Sequence, residues 1–214
     1  MLGKIFKKGC FYHVFNKSIS NYGIFKNEDN SQRFLETLDY YNNSNKKKKF
    51  SLAIRDKDYK YKNLILNLFE KSIIKCLSYC VMPDHYHLLI KVFQDNVLSK
   101  YINDIENSFT RYFNIKYNRK GPLWQSDFRA VMINNNEQLL HISRYIHLNP
   151  TTSGLVEKPE DWQFSSYKDI ISHKYLLKNV LTEFSISNSN FYKRFVENNI
   201  DYQKKLKLIK KLIF

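Results

Sequence analysis

Apolar residues in this chain recur either at every second position or at every third and fourth, and the order of these two rhythms predicts the elements. Residues 10–16, Cys-Phe-Tyr-His-Val-Phe-Asn, are dense in aromatic and β-branched types and read as a first strand, stopped by turn-forming residues at 18–23. Over 29–41 the apolar positions Phe34, Leu35, Leu38 and Tyr41 have helical spacing. Both rhythms vanish over 42–62, a polar stretch with a lysine run at 46–49, which reads as an exposed insertion. Two apolar strands, 73–81 and 85–93, flank Met82-Pro83-Asp84, a sequence suited to a tight hairpin. Val97, Tyr101, Ile105, Phe109, Tyr112 and Phe113 mark one face of a long amphipathic helix over 96–116. A loop opens at Gly121-Pro122, a fourth strand spans 127–133, and a third helix over 136–148 is expected to stop at Asn149-Pro150.

The order β-α-β-β-α-β-α predicts an α+β fold: a ferredoxin-like antiparallel sheet with helices on one face, followed by one extra helix. The core is expected over 1–150, with the lysine-rich insertion at 42–62 inside it. The C-terminal extension, 151–214, holds a packed loop at 162–167 and helices over 176–214 that end in a basic stretch at 204–211. No internal repeat is visible.

Composition narrows the partner. Against 20 acidic residues stand 35 Lys and Arg, a formal charge of +15, among 16 Tyr and 16 Phe. That balance favours a polyanion, and rings beside cations suit unpaired bases, although most rings at these spacings belong to the core. Three cysteines, Cys10, Cys76 and Cys80, make neither a disulfide framework nor a four-ligand zinc site, so a reducing, cytoplasmic compartment is expected. No apolar run reaches the length of a membrane span and no signal-peptide segment is evident.

Two pairs of residues carry candidate chemistry. His85 and His87 alternate on one strand, so both imidazoles face the same side, about 6.6 Å apart at the backbone, and can share a metal ion. Ordinary hydrogen-bonded histidines take the same spacing. Tyr145 and Asn149 lie four apart on the last core helix and share a face, which points a hydroxyl and a carboxamide the same way. A core tyrosine and a helix C-cap before proline would give the same pattern.

The hairpin Tyr79-Cys80-Val81-Met82-Pro83-Asp84-His85-Tyr86-His87-Leu88-Leu89-Ile90 resembles the HUH motif of the IS200-like, REP-associated tyrosine transposases. Three further segments are similar to that family in order and spacing. They are Gly121-Pro122-Leu123-Trp124-Gln125-Ser126-Asp127-Phe128-Arg129, Tyr145-Ile146-His147-Leu148-Asn149-Pro150 and Trp162-Gln163-Phe164-Ser165-Ser166-Tyr167. Tyr12-His13-Val14-Phe15-Asn16 also fits, so the likeness runs from about residue 10 to 170. Two features depart from the pattern: Tyr86 replaces the usual aliphatic or large apolar middle residue, and the segment at 42–62 is inserted.

The resemblance implies a single-stranded DNA endonuclease and strand transferase acting at hairpin-associated sites. Tyr145 would attack a phosphodiester to form a 5′-phosphotyrosyl link and free a 3′-hydroxyl. It implies a divalent metal, Mg²⁺ or Mn²⁺, on His85, His87 and Asn149; the two imidazoles alone also accept Ni²⁺, Co²⁺ or Zn²⁺. Tyr112 and Tyr117 are rival nucleophiles, His147 is expected to be structural, and His13 is either a DNA-side or a satisfied strand histidine. Lys17, Arg111, Arg119, Lys120 and Arg129 are the expected DNA contacts, Arg129 also a source of positive field for the phenol. The expected partner is hairpin-bearing single-stranded DNA and the state monomer or homodimer, in a bacterial cytoplasm. A non-catalytic nucleic-acid-binding module and a replication- or transfer-origin nickase are the competing readings.

Overall fold

The computed structural model describes residues 5–46, 48–56, 72–172 and 178–205. Four strands, β1 (Phe11–Lys17), β2 (Ile74–Val81), β3 (His85–Val92) and β4 (Arg129–Ile133), form one sheet in the order β2-β3-β1-β4. Every neighbouring pair is antiparallel. The two crossovers run through α1 (Glu28–Tyr41), with the short α2 (Phe50–Ala53) after it, and through α3 (Val97–Lys116). This is the expected α+β, ferredoxin-like arrangement. After β4 come α4 (Asn136–Thr152), α5 (Tyr167–Ile171), α6 (Lys178–Glu183) and α7 (Ser189–Glu197).

Alternation along β1 and β3 sorts the side chains between two faces. Tyr12, Val14, Asn16, Tyr86, Leu88 and Ile90 share one, set by the register Asn16↔Tyr86 and Val14↔Leu88. That face carries α1 and α3, joined by an aromatic cluster in which Phe34 lies 4.9 Å from Tyr86, 5.0 Å from Phe25 and 5.5 Å from Phe109 between ring centroids. Each such pair adds about 0.5–1.5 kcal/mol beyond the area it buries. The opposite face carries α4, which packs on β2 and β3. The helix added to the core thus covers the other side of the sheet.

All eight residues of β2 are buried although it is an edge strand. Residues 164–166 run along that edge: Val81 donates its N–H to the Phe164 carbonyl at 2.9 Å and Ser166 to the Tyr79 carbonyl at 3.1 Å. The loop that was expected to pack therefore closes an edge that would otherwise expose unpaired backbone.

Two expectations need correction. The helix α4 does not stop before Asn149-Pro150 but runs through both to Thr152. Pro150 sits in the last turn, where a missing N–H costs one bond only, and the Thr151 and Thr152 hydroxyls donate to the carbonyls of Leu148 and Asn149 at 2.8 and 3.1 Å. Nor is the insertion wholly exposed. Phe50 is fully buried, stacked 5.0 Å from Tyr40 with the Arg33 guanidinium 4.1 Å over its ring. Asn42, where the insertion begins, is tied to the start of β2: its Oδ1 accepts from the N–H groups of Ile73 and Ile74 and its Nδ2 donates to the Ile74 carbonyl. The part of the insertion beyond residue 56 and the basic stretch beyond residue 205 lie outside the described residues.

Candidate active site

The face of the sheet under α4 brings together His13 on β1, His85 and His87 on β3, and Tyr145 on α4. The Pro83-Asp84 turn, closed by a 2.8 Å bond from Met82 N–H to the His85 carbonyl, starts β3 at His85. Alternation then puts His85 and His87 on one side, with ring centroids 5.1 Å apart and planes at 87°. The Tyr145 ring meets His87 edge-on at 5.5 Å and His13 at 6.1 Å.

Each histidine of the pair is held through Nδ1. His85 Nδ1 lies 2.6 Å from Asp84 Oδ1, and Lys17 Nζ lies 3.4 Å from the other oxygen of that carboxylate. The His85 contact, and then Lys17, hold the Asp84 carboxyl below its ordinary pKa against the opposing effect of burial. His87 Nδ1 lies 3.0 Å from His13 Nε2. Burial lowers the pKa of His13 to about 4, so it is neutral at neutral pH and can accept. His85 donates from Nδ1 to the carboxylate, which leaves its lone pair on Nε2, and His87 takes the same form when its Nδ1 donates to His13, the pattern that outer-shell partners impose on metal-binding histidines.

Tyr145 is 40% exposed, so it is no core aromatic. Burial of its remaining surface holds the phenol above its ordinary pKa, and the Asn149 amide beside it pulls the other way. Asn149 is buried, and its Nδ2 position has no hydrogen-bond partner. The nitrogen that stands beside Tyr145 exchanges with the oxygen by a flip, and in the flipped orientation the carboxamide would offer that oxygen to a cation instead of an N–H to the phenol. Among the described residues no three His, Cys, Asp or Glu side chains converge as a metal site. The donors expected from the sequence are the His85 and His87 imidazoles, 5.1 Å apart between ring centroids, and the Asn149 carboxamide on α4.

The expected phosphate contacts divide between the two sides of the sheet. Arg129 pairs with Phe15, which pairs with His87, so the three occupy one rung across β4, β1 and β3 on the face of Tyr145. Lys17 pairs with His85 on the next rung of that face. Arg111 and Lys120 stand exposed on α3 and just beyond it, on the far side. Arg119 is there too, its guanidinium donating to Asn114 Oδ1 at 2.9 Å and to the Pro122 carbonyl at 2.6 Å. Tyr112 and Tyr117 belong to that far side, each beside Lys116, remote from the histidines. His147 is fully buried between Tyr192 and Ser166, at 2.7 and 2.8 Å.

Sequence reasoning gave no role to Glu106. This buried carboxyl on α3 accepts from Asn16 Nδ2 at 2.8 Å and from the Tyr86 hydroxyl at 2.7 Å, and Asn16 also donates to the Ser126 carbonyl at 2.9 Å. Tyr86, the unusual middle residue of His-Tyr-His, thereby anchors that strand to α3. Burial raises the Glu106 pKa to about 7. The paired departure, a polar ring in the strand and an acid on an apolar helix face, was the only signal in the sequence.

Comparison with known proteins points the same way. A family model described as "Transposase IS200 like" matches residues 7–149. Over 136 residues the chain is 26% identical to a Haemophilus influenzae protein named as a REP-associated tyrosine transposase, covering 55% of this chain and 77% of that one. Over 91 residues it is 29% identical to the REP-associated tyrosine transposase of Escherichia coli K12, covering 42% and 52%. Its fold matches a solved REP-associated tyrosine transposase bound to a REP hairpin, with TM-score 0.58 at 18% identity over 82% of this chain and 87% of the other.

Proposed function

We propose that this chain, which belongs to the IS200-like transposase family, cuts and rejoins single-stranded DNA beside a hairpin through a covalent link to Tyr145. The observation that carries the reading is a half-exposed phenol standing edge-on, 5.5 Å from His87, on a face where the histidine pair is held from behind.

In the first step the Tyr145 oxygen attacks phosphorus, the bond from phosphorus to the 3′-oxygen breaks, and that oxygen leaves as a 3′-hydroxyl. The 5′ end stays on the tyrosine as a phosphodiester. In the second step a 3′-hydroxyl attacks the same phosphorus and returns the phenol, so one phosphodiester replaces another and no nucleotide cofactor is consumed. A phenol of ordinary pKa about 10 needs positive field to ionise at neutral pH. Arg129 stands on the rung of His87, two strands away on the face of Tyr145, where it would add positive charge beside a bound phosphate. His85, His87 and the Asn149 carboxamide would hold a divalent cation, Mg²⁺ or Mn²⁺, whose charge would polarise the nonbridging phosphate oxygens. Asp84 and His13 keep the two imidazoles oriented, and Lys17 balances Asp84.

The test is a denaturing gel of labelled hairpin-bearing single-stranded DNA, incubated with wild type or Tyr145→Phe and with Mg²⁺, Mn²⁺ or chelator. A protein-linked band with wild type alone is expected. An adduct that survives Tyr145→Phe moves the nucleophile elsewhere. Tight binding with no adduct in any metal favours a binding module.

A further inference from the structure

Three rings lie side by side on the face of the sheet that carries Tyr145, and one of them, Phe15, is neither a metal ligand nor a partner of one through a hydrogen bond. His13 and His87 stack with ring centroids 5.1 Å apart, and the Phe15 ring lies 4.9 Å from the first and 5.7 Å from the second. The two histidines are buried, whereas Phe15 is partly exposed. The core contribution of β1 comes from its other face, through the buried Tyr12 and Val14. Phe15 is thus the member of the ring patch that solvent, or a ligand, can reach.

The cover over this face is uneven. The helix α4 packs on β2 and β3, and the strip built by β1 and β4 stays open: Arg129, opposite Phe15, is exposed, and Val131, opposite His13, is half exposed. Phe15 stands one strand from His87, about 4.8 Å, and Tyr145 meets that same His87 edge-on at 5.5 Å. On the next rung Lys17 is partly exposed. A ring between two cations, beside a nucleophile, offers what an unpaired base and its flanking phosphates require. Such stacking accepts any base, because every base has a π face. A base inside a duplex is covered by its neighbours and reaches a ring only after it has been unstacked.

We propose that Phe15 is the stacking platform for the unpaired base next to the phosphate that Tyr145 attacks, and that this stack, with Arg129 on the neighbouring phosphate, fixes the register of the strand over the histidines. The placement beside the reacting phosphate rests on the reading of Tyr145 given above; the stack itself needs only a single strand on this face.

Binding is read by fluorescence anisotropy with full-length Tyr145→Phe, which stops the chemistry, on hairpin-bearing single-stranded DNA in which each flanking nucleotide in turn is made abasic. One abasic position should weaken binding about 10-fold. Adding Phe15→Leu, which keeps an apolar side chain and removes the ring, should weaken the intact strand by the same factor and leave the strand abasic at that position unaffected. Phe15→Trp keeps a ring and should keep the abasic penalty. Equal losses on intact and abasic strands in Phe15→Leu overturn the proposal, as does a scan in which no position responds. A tryptophan variant without the penalty overturns it too, and decides the matter if the leucine variant does not fold. With Tyr145 restored, the responsive base should border the cut; a responsive base elsewhere removes Phe15 from the reacting phosphate. Adducts on intact DNA with no Phe15-dependent position would leave the nuclease reading standing and remove the stack. No adduct on any DNA, with the Phe15-dependent position retained, would do the reverse.

Discussion

An imidazole hydrogen-bonded to another imidazole must settle which ring carries the proton. Because burial keeps His13 neutral down to about 4, His87 can donate from Nδ1 and keep its lone pair on Nε2. His13→Ala should therefore weaken Mn²⁺ binding about 10–100-fold in calorimetry, with partial rescue by His13→Gln, whose carbonyl also accepts. Equal affinities in all three proteins would remove His13 from the site. Glu106 makes a different residue-scale prediction. Its folded pKa of about 7 exceeds the ordinary 4.5, so its contribution to stability is complete below 4.5 and is lost as pH rises through 7. Glu106→Gln keeps an acceptor for Asn16 and Tyr86 without the charge. Denaturant melts from pH 4.5 to 8 should show the variant gaining on wild type by up to about 3 kcal/mol. A constant gap would mean that the carboxyl titrates normally.

Among the elements, α4 joins chemistry to stability. Its exposed stripe presents Tyr145, while His147, two residues on, turns inward and ties the helix to Tyr192 on α7 and to Ser166 beside β2. Burial lowers the pKa of His147 from 6.5 to about 3, so the unfolded chain takes up a proton that the folded one refuses, and stability falls as pH drops through that window. In His147→Leu, the Tyr192 hydroxyl keeps its bond to Ser143 and Ser166 Oγ its bond to the Tyr79 carbonyl. The variant should unfold in acid with about one fewer proton taken up, as read from the pH dependence of its melting free energy. An unchanged acid limb would show that His147 is protonated in the folded state.

At the scale of the whole molecule, a charge of +15 is arranged on two sides of one sheet. Lys17 and Arg129 stand by the histidines, Arg111 on α3 and Lys120 just past its end. If those four each meet a phosphate, hairpin affinity should fall about 100-fold between 50 and 200 mM salt. A salt-insensitive affinity would point to recognition without backbone contacts. Among the described residues no helix is long and apolar enough to cross a membrane.

The amino-acid order alone determined the four strands, α1, α3, α4 and the chemistry-bearing pairs, because these depend on spacings of two to four residues, whereas the short α2 and α5 were not legible. Alternation put His85 with His87, helical pitch put Tyr145 with Asn149, and the strands emerged within two residues of their ends. Local spacing failed at Pro150, where packing on β2 and β3 and two threonine hydroxyls carry the helix onward. Tertiary structure decided everything that depends on register across strands and on which face a helix covers. His13 joins His87 because β1 and β3 pair with Phe15 opposite His87. Glu106 meets Tyr86 because α3 covers the other side. The expected DNA contacts parted between two faces for the same reason: charge can be counted along a chain, but only the folded sheet assigns it a side.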